Sequence, residues 1–250
     1  MNYNLGEISI MDEDEILEKK IKKEKKKRII LVLIILIIII LYAVVDYMDT
    51  ERDIGNALTD MHTDNPIIYI YPTEETDVSI KVGHPENLEC TYPKYEDGWN
   101  VHAKLNGDLI DLKTGRNLYA LYWEGLDKSK EHNYKDGFVV KGDEVATFLE
   151  EKLEVLGLNE REAEEFIVYW LPFLGKNEYN YIRFFEEEEI NEKMPLEINP
   201  KPETIIRVLM GWKKLDKEIE VQEQQLERVE RKGYTVVEWG GTEFNSLKIK

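Results

Sequence analysis

The chain has 250 residues, 42% of them hydrophobic and 34% charged, which excludes a disordered polyelectrolyte and leaves room for one medium domain or two small ones. Its net charge is −18, and residues 46–250 hold 44 acidic against 25 basic side chains, so nucleic acid and anionic headgroups are disfavoured as partners while cations fit. A single cysteine, Cys90, excludes an internal disulfide and, in the strand-like "NLECTYP", reads as a small buried residue.

In chain order, residues 1–28 form a tail that ends in the basic block "KKIKKEKKKR". The run "IILVLIILIIIILYAVV", residues 29–45, carries no charge, Gly or Pro. As a helix it is about 26 Å long, near the lower limit for a bilayer core. It has no polar face, so a buried soluble helix does not explain it. It ends "AVVDYMD" without a small-x-small site, so a cleaved signal peptide does not either. The expectation is a transmembrane helix at 29–46, with Tyr42 and Tyr47 at one interface and Lys27 and Arg28 snorkelling at the other. Basic residues stay inside, so the N-terminus is expected in the cytoplasm and the rest outside a bacterial cell membrane, after a linker at 47–64.

An outer domain is expected over 65–244, with 245–250 as a C-terminal tail. "PIIYIYP" reads as a buried strand between two prolines, and "DVSIKV" as its hairpin partner. "LECTYP", "WNVHAKL" and "LYALYWEG" follow, punctuated by "EDG", "NGD" and "TGR". Then the period changes. "GDEVATFLEEKLEVLGL" places Val145, Leu149 and Leu153 at helical spacing, with Asp143 as cap and Gly157 as stop. A second helix starts at Asn159, three residues before Glu162 as in a capping box, and is expected to close at Pro172. "YNYIRFF", "TIIRVLMGW" and "YTVVEW" are strands again. "EEEE" at 186–189 reads as an exposed loop, and the polar "KEIEVQEQQLERVERKG" as irregular chain. The predicted fold class is α+β: an antiparallel sheet or sandwich with an inserted two-helix hairpin.

These motifs resemble a family of uncharacterised bacterial proteins, membrane-anchored or secreted, found mostly in Gram-positive anaerobes. The likeness rests on "NPIIYIYP", "TYPKYEDGWNVHA", "LYWEG", "EEFIVYWLP", "NPKPETIIRVLMGW" and "RKGYTVVEWGG", and covers residues 65–241. It implies one domain in an extracytoplasmic setting and brings no catalytic residues. Asn65 departs from it, since Lys is expected before the proline.

No phosphate-binding glycine loop, nucleophile elbow, zinc spacing or EF-hand is present, so no cofactor and no metal are expected. Carboxylates and aromatics remain. "LYWEG" and "VVEWGG" each set a Trp beside a Glu before Gly. As a glycoside-cleaving pair, Glu124 and Glu238 would face each other roughly 5–10 Å apart, with Trp123 and Trp239 as stacking platforms and Gly125, Gly240 and Gly241 admitting a substrate. Alternation favours another arrangement: both tryptophans inside and both glutamates at the surface. The expected function is a membrane-held envelope module that binds a protein, peptide or glycan. A carboxylate-dependent hydrolase of cell-wall or extracellular glycan is the alternative.

Overall fold

The computed structural model describes residues 20–28, 30, 40–42, 44, 66–125, 132–244 and 246–249. The chain divides into two units, Met1–Leu58 and Thr59–Lys250. In the first, residues 20–28 are helical, and Lys27 pairs with Glu24 at 2.8 Å. Most of the apolar run 29–45 and all of 47–64 lie outside the described residues. Among the described residues no helix is long and apolar enough to cross a membrane.

The second unit is α+β. Among the described residues its strands form three sheets. The largest contains β1 (Ile67–Tyr71), β3 (Leu88–Tyr92), β7 (Leu121–Gly125), β9 (Asp136–Lys141), β10 (Tyr179–Phe184), β12 (Thr204–Leu215), β13 (Gln222–Glu223) and β14 (Thr235–Glu243). Their order is β13-β9-β10-β12-β14-β1-β7-β3. A second sheet holds β2 (Thr76–Val82), β4 (Trp99–Ala103), β5 (Leu109–Asp111), β6 (Asn117–Leu118) and β11 (Leu196–Asn199). A third pairs β8 (His132–Tyr134) with β15 (Leu247–Ile249), so the expected C-terminal tail contributes a strand.

Alternation decides what each face of the large sheet touches. Ile68, Ile70 and Val236 turn to one side and pack on Val78, Ile80, Trp99 and Val101 of the second sheet. Tyr69, Val237 and Trp239 turn to the other and pack on helices α1 (Val145–Val155) and α2 (Glu160–Leu174). The β1–β2 hairpin expected from sequence is therefore absent. β1 pairs with β14 and β7, and β2 lies across the sandwich from it, paired with β4 and β11. Both strands carry apolar residues at period two, and burying those faces against each other satisfies them better than side-by-side pairing would.

The sheet is mixed rather than antiparallel. β12 and β14 run parallel in register from Thr204↔Thr235 to Trp212↔Glu243. The polar stretch between them makes the crossover without a helix. Its anchors are specific: Val229 N–H bonds Val155 C=O at 3.0 Å, and Arg231 grips Glu162 with two nitrogens at 2.7 and 3.1 Å.

The helical hairpin follows its local signals closely. Leu158 N–H bonds Leu153 C=O and Gly157 N–H bonds Glu154 C=O, with Gly157 at φ +90°, which closes α1 in a Schellman motif. Asn159 and Glu162 exchange backbone-to-side-chain bonds of 2.9 Å each. Two signals misled. Asp143 lies in a 3-10 turn rather than capping α1, and Pro172 sits inside α2, which runs two residues further. A third is larger: "EEEE" opens helix α3 (Glu187–Lys193) instead of a loop. Glu186 and Glu189 form its capping box, and Glu189 binds the buried Arg183 at 2.7 Å. Acidic residues suit a helix N-terminus, and Arg183 offsets their repulsion.

Candidate functional site

The two mirrored stretches meet. β7 and β14 flank β1 on either edge, and the Trp123 indole N–H donates to Glu238 Oε1 at 2.9 Å. Arg207, opposite Glu238 in the β12–β14 register, donates from Nε to Glu238 Oε2 at 2.6 Å and from Nη1 to Asn191 of α3 at 2.8 Å. Glu238 is 2% exposed. The surface position expected for it is thus wrong. β14 is covered on both faces, so its outward row of alternation points into the second sheet, and only a basic partner makes a buried carboxylate tolerable there.

Both tryptophans are buried as expected, Trp123 among the residues between the sheets and Trp239 against Phe166 at 5.4 Å and Tyr69 at 6.5 Å. Neither indole offers an open face for a sugar. Nor do Gly125 and Gly241 admit a ligand: a Cβ on Gly125 would stand 2.9 Å from the Asn87 carbonyl oxygen, and the space over Gly241 holds the Trp170 ring, with the Met210 carbonyl oxygen 2.6 Å from a Cβ there.

Glu124 follows Trp123 directly and so projects from the opposite face of the sheet. Glu124 and Glu238 are separated by the sheet itself and make no acid–base pair across a cleft. What Glu124 does join is a group of phenols. Tyr122 Oη donates to Glu124 Oε2 at 3.2 Å, and Tyr169 of α2 stands close enough to feel the same charge. Tyr69 donates to Glu165 of α2, which also takes Arg161 Nε at 3.0 Å. Tyr119 tilts against Tyr69 at 6.3 Å and is more than half exposed. Cys90 lies opposite Glu124 on β3 and is exposed, not buried as expected, because β3 is the last strand of the sheet. Asn180, by contrast, is sealed inside, bonded to Asn177 and to Leu174 C=O.

Burial, and then neighbouring carboxylates, push these phenols upward. Tyr69 is raised by burial and by its bond to Glu165, and Tyr122 and Tyr169 by burial and the charge of Glu124. They therefore stay protonated at neutral pH. The face presents O–H donors beside carboxylate acceptors, which suits binding rather than proton abstraction.

A pH prediction follows. Elsewhere in the domain burial also raises Tyr71, Tyr181 and Tyr234, the last to about 12. Each phenol titrates higher in the folded state than at its ordinary 10.0. Their contribution to stability is complete below about pH 10 and is lost as pH rises through the folded values. The tyrosinate absorbance owed to these six phenols should appear together with the loss of near-ultraviolet circular dichroism, in one cooperative alkaline step. Ionisation of every tyrosine with the fold intact would contradict it.

His84 lies near Glu86, His102 is paired with Asp77 at 2.8 Å, and His132 begins β8 opposite Leu247. His62 lies outside the described residues. Among the described residues no group of three His, Cys, Asp or Glu side chains is arranged to hold a metal ion. No family model, curated protein or solved structure matches this chain.

Proposed function

We propose that the chain is a single-pass bacterial membrane protein, N-terminus inside, whose acidic α+β unit stands outside the membrane as a cell-envelope binding module. The apolar run 29–45, the basic block before it and the acidic flank after it support the placement. The observation that carries the binding role is the face built by Tyr122, Glu124, Tyr169, Tyr119 and Glu165. Phenols combine an apolar ring with a hydroxyl at low entropic cost, and neighbouring carboxylates accept hydrogen bonds from sugar hydroxyls or ammonium groups. A glycan or a peptide fits this chemistry; a nucleic acid does not.

Protease added to intact wall-stripped cells should cut the domain. Protection equal to that of a cytoplasmic marker would refute the orientation. On the purified chain, a screen of cell-wall glycan fragments and peptides should yield a ligand whose affinity falls about tenfold in Tyr169→Ala and Tyr122→Phe, with the melting temperature little changed. Ligands that bind both variants as tightly as wild type would remove this face from the site.

A further inference from the structure

A groove of about 920 Å³ lies at the opposite edge of the large sheet, between β9, the start of α1 and residues 218–223. Three features coincide in it. The first is an unfinished strand edge. β13 pairs only with Asp136 and Gly137 of β9. The Gly137 carbonyl accepts Gln224 N–H at 3.2 Å and so points outward. Alternation then turns the N–H and C=O of Val139 outward too, while the Val140 carbonyl turns inward, where Asn180 Nδ2 approaches at 3.5 Å. Among the described residues no strand covers Val139 on that side, and Val139 lines the groove.

The second feature is charge. Glu218, Glu220 and Glu223 stand on one wall and Asp143, Glu144 and Glu151 on the other, against Lys152 alone among the lining residues. Glu144 has a distant partner in Lys141 at 3.8 Å. The third is an aromatic floor that already holds a cation. Phe138 and Phe148 meet with ring centroids 5.1 Å apart, and Lys152 Nζ stands 4.9 and 5.7 Å from their centres and 3.7 Å from Glu223. That is an ammonium group seated on rings and closed by a carboxylate, so the groove already accommodates one lysine side chain.

We infer that this groove takes a basic peptide in extended form, added as a strand to the free edge of β9 with its lysine or arginine side chains between the acidic walls. The backbone edge supplies affinity without sequence preference, and the carboxylates of the two walls select cationic side chains. This site is separate from the tyrosine face, and either can fail without the other.

The probe is a short peptide alternating lysine and threonine, titrated calorimetrically into the full chain in detergent. Binding is expected, weakening as salt is raised. The same peptide with glutamate for lysine should not bind. N-methylation of alternate peptide nitrogens should weaken binding about tenfold or more, since it removes the edge hydrogen bonds while keeping the charge. Glu218→Lys with Glu220→Lys should weaken it to a similar degree of about tenfold. Val139→Pro, which removes one outward N–H, should do the same with near-ultraviolet circular dichroism unchanged. Equal binding of the lysine and glutamate peptides, no binding of either, or full affinity of the N-methylated peptide would each overturn the inference. The last would do so even if Val139→Pro failed to fold.

Discussion

Glu238→Leu should destabilise the domain by about 3–5 kcal/mol, because it strands the Arg207 guanidinium in the interior. The two side chains are 3% and 2% exposed, and their 2.6 Å contact is supported by Trp123 on one side and Asn191 on the other. Removing the carboxylate also orphans the Trp123 N–H, which adds a desolvation cost of about 1–3 kcal/mol if the cavity stays dry. Glu238→Gln keeps an acceptor for Trp123 but loses the charge, so it should fall between Leu and wild type. The double variant Arg207→Met with Glu238→Leu should recover most of the loss, since a packed apolar pair replaces a costly ionic one. Urea melts of wild type, Arg207→Met, Glu238→Leu and the double variant give the coupling directly. A Glu238→Leu protein that melts with wild type would refute the structural role, and a Glu238→Gln protein that keeps its stability but loses an activity would mark a reacting group instead.

The sequence carries the elements of this fold better than their partners. "PIIYIYP", "TIIRVLMGW" and "YTVVEW" are strands because β-branched and aromatic residues crowd them, and the Asn159–Glu162 box starts α2 where its spacing says. Pairing is a non-local property. Nothing within "IIYIYPTEETDVSIKV" distinguishes a hairpin from two strands facing each other across a core, because both bury the same alternate residues. The parallel β12–β14 pair is hidden for a related reason. Its crossover is fixed by Arg231 on Glu162 and by one backbone bond from Val229, contacts that leave no periodicity in a polar stretch.

The buried ion pair did leave a trace. Arg207 interrupts "TIIRVLM" and Glu238 interrupts "YTVVEW", one charge of each sign in two otherwise apolar runs. A single glutamate in such a run reads as facing water. Two opposite charges in two runs that share a sheet read as partners, and that comparison would have placed Glu238 inside. Arg183 in "YNYIRFF" is likewise a lone charge in an apolar run, and it pairs with Glu189 and Asp136, whose own surroundings in the sequence are polar. The tyrosine face was harder to see. Tyr122 and Tyr169 come from a strand and a helix far apart in the chain and only the fold brings them together, so the "LYWEG" motif points at Trp123 and Glu124 and leaves Tyr122 unmarked.

Trp239→Ala should cost about 3–5 kcal/mol, the ordinary range for deleting a large aromatic from a packed core. Trp239 is 2% exposed and lies between Tyr69 on the neighbouring strand and Phe166 of α2, so its loss opens a cavity at the joint between sheet and helices. Collapse into that cavity is restrained. Phe166 is held by a helix whose N-terminus is fixed by the Asn159–Glu162 box and by Arg231, and Trp170 one turn later is already seated on Gly241. Trp239→Phe keeps a ring in the joint and should cost well under half as much as alanine. Tyr169→Ala, on the same helix but 38% exposed, should change stability far less than Trp239→Ala. Thermal melts of the three variants separate core from surface on one helix–sheet joint. If Trp239→Ala melts near wild type while Tyr169→Ala does not, the packing account fails at its centre, and Trp239 becomes a residue whose ring must be free for something other than the core.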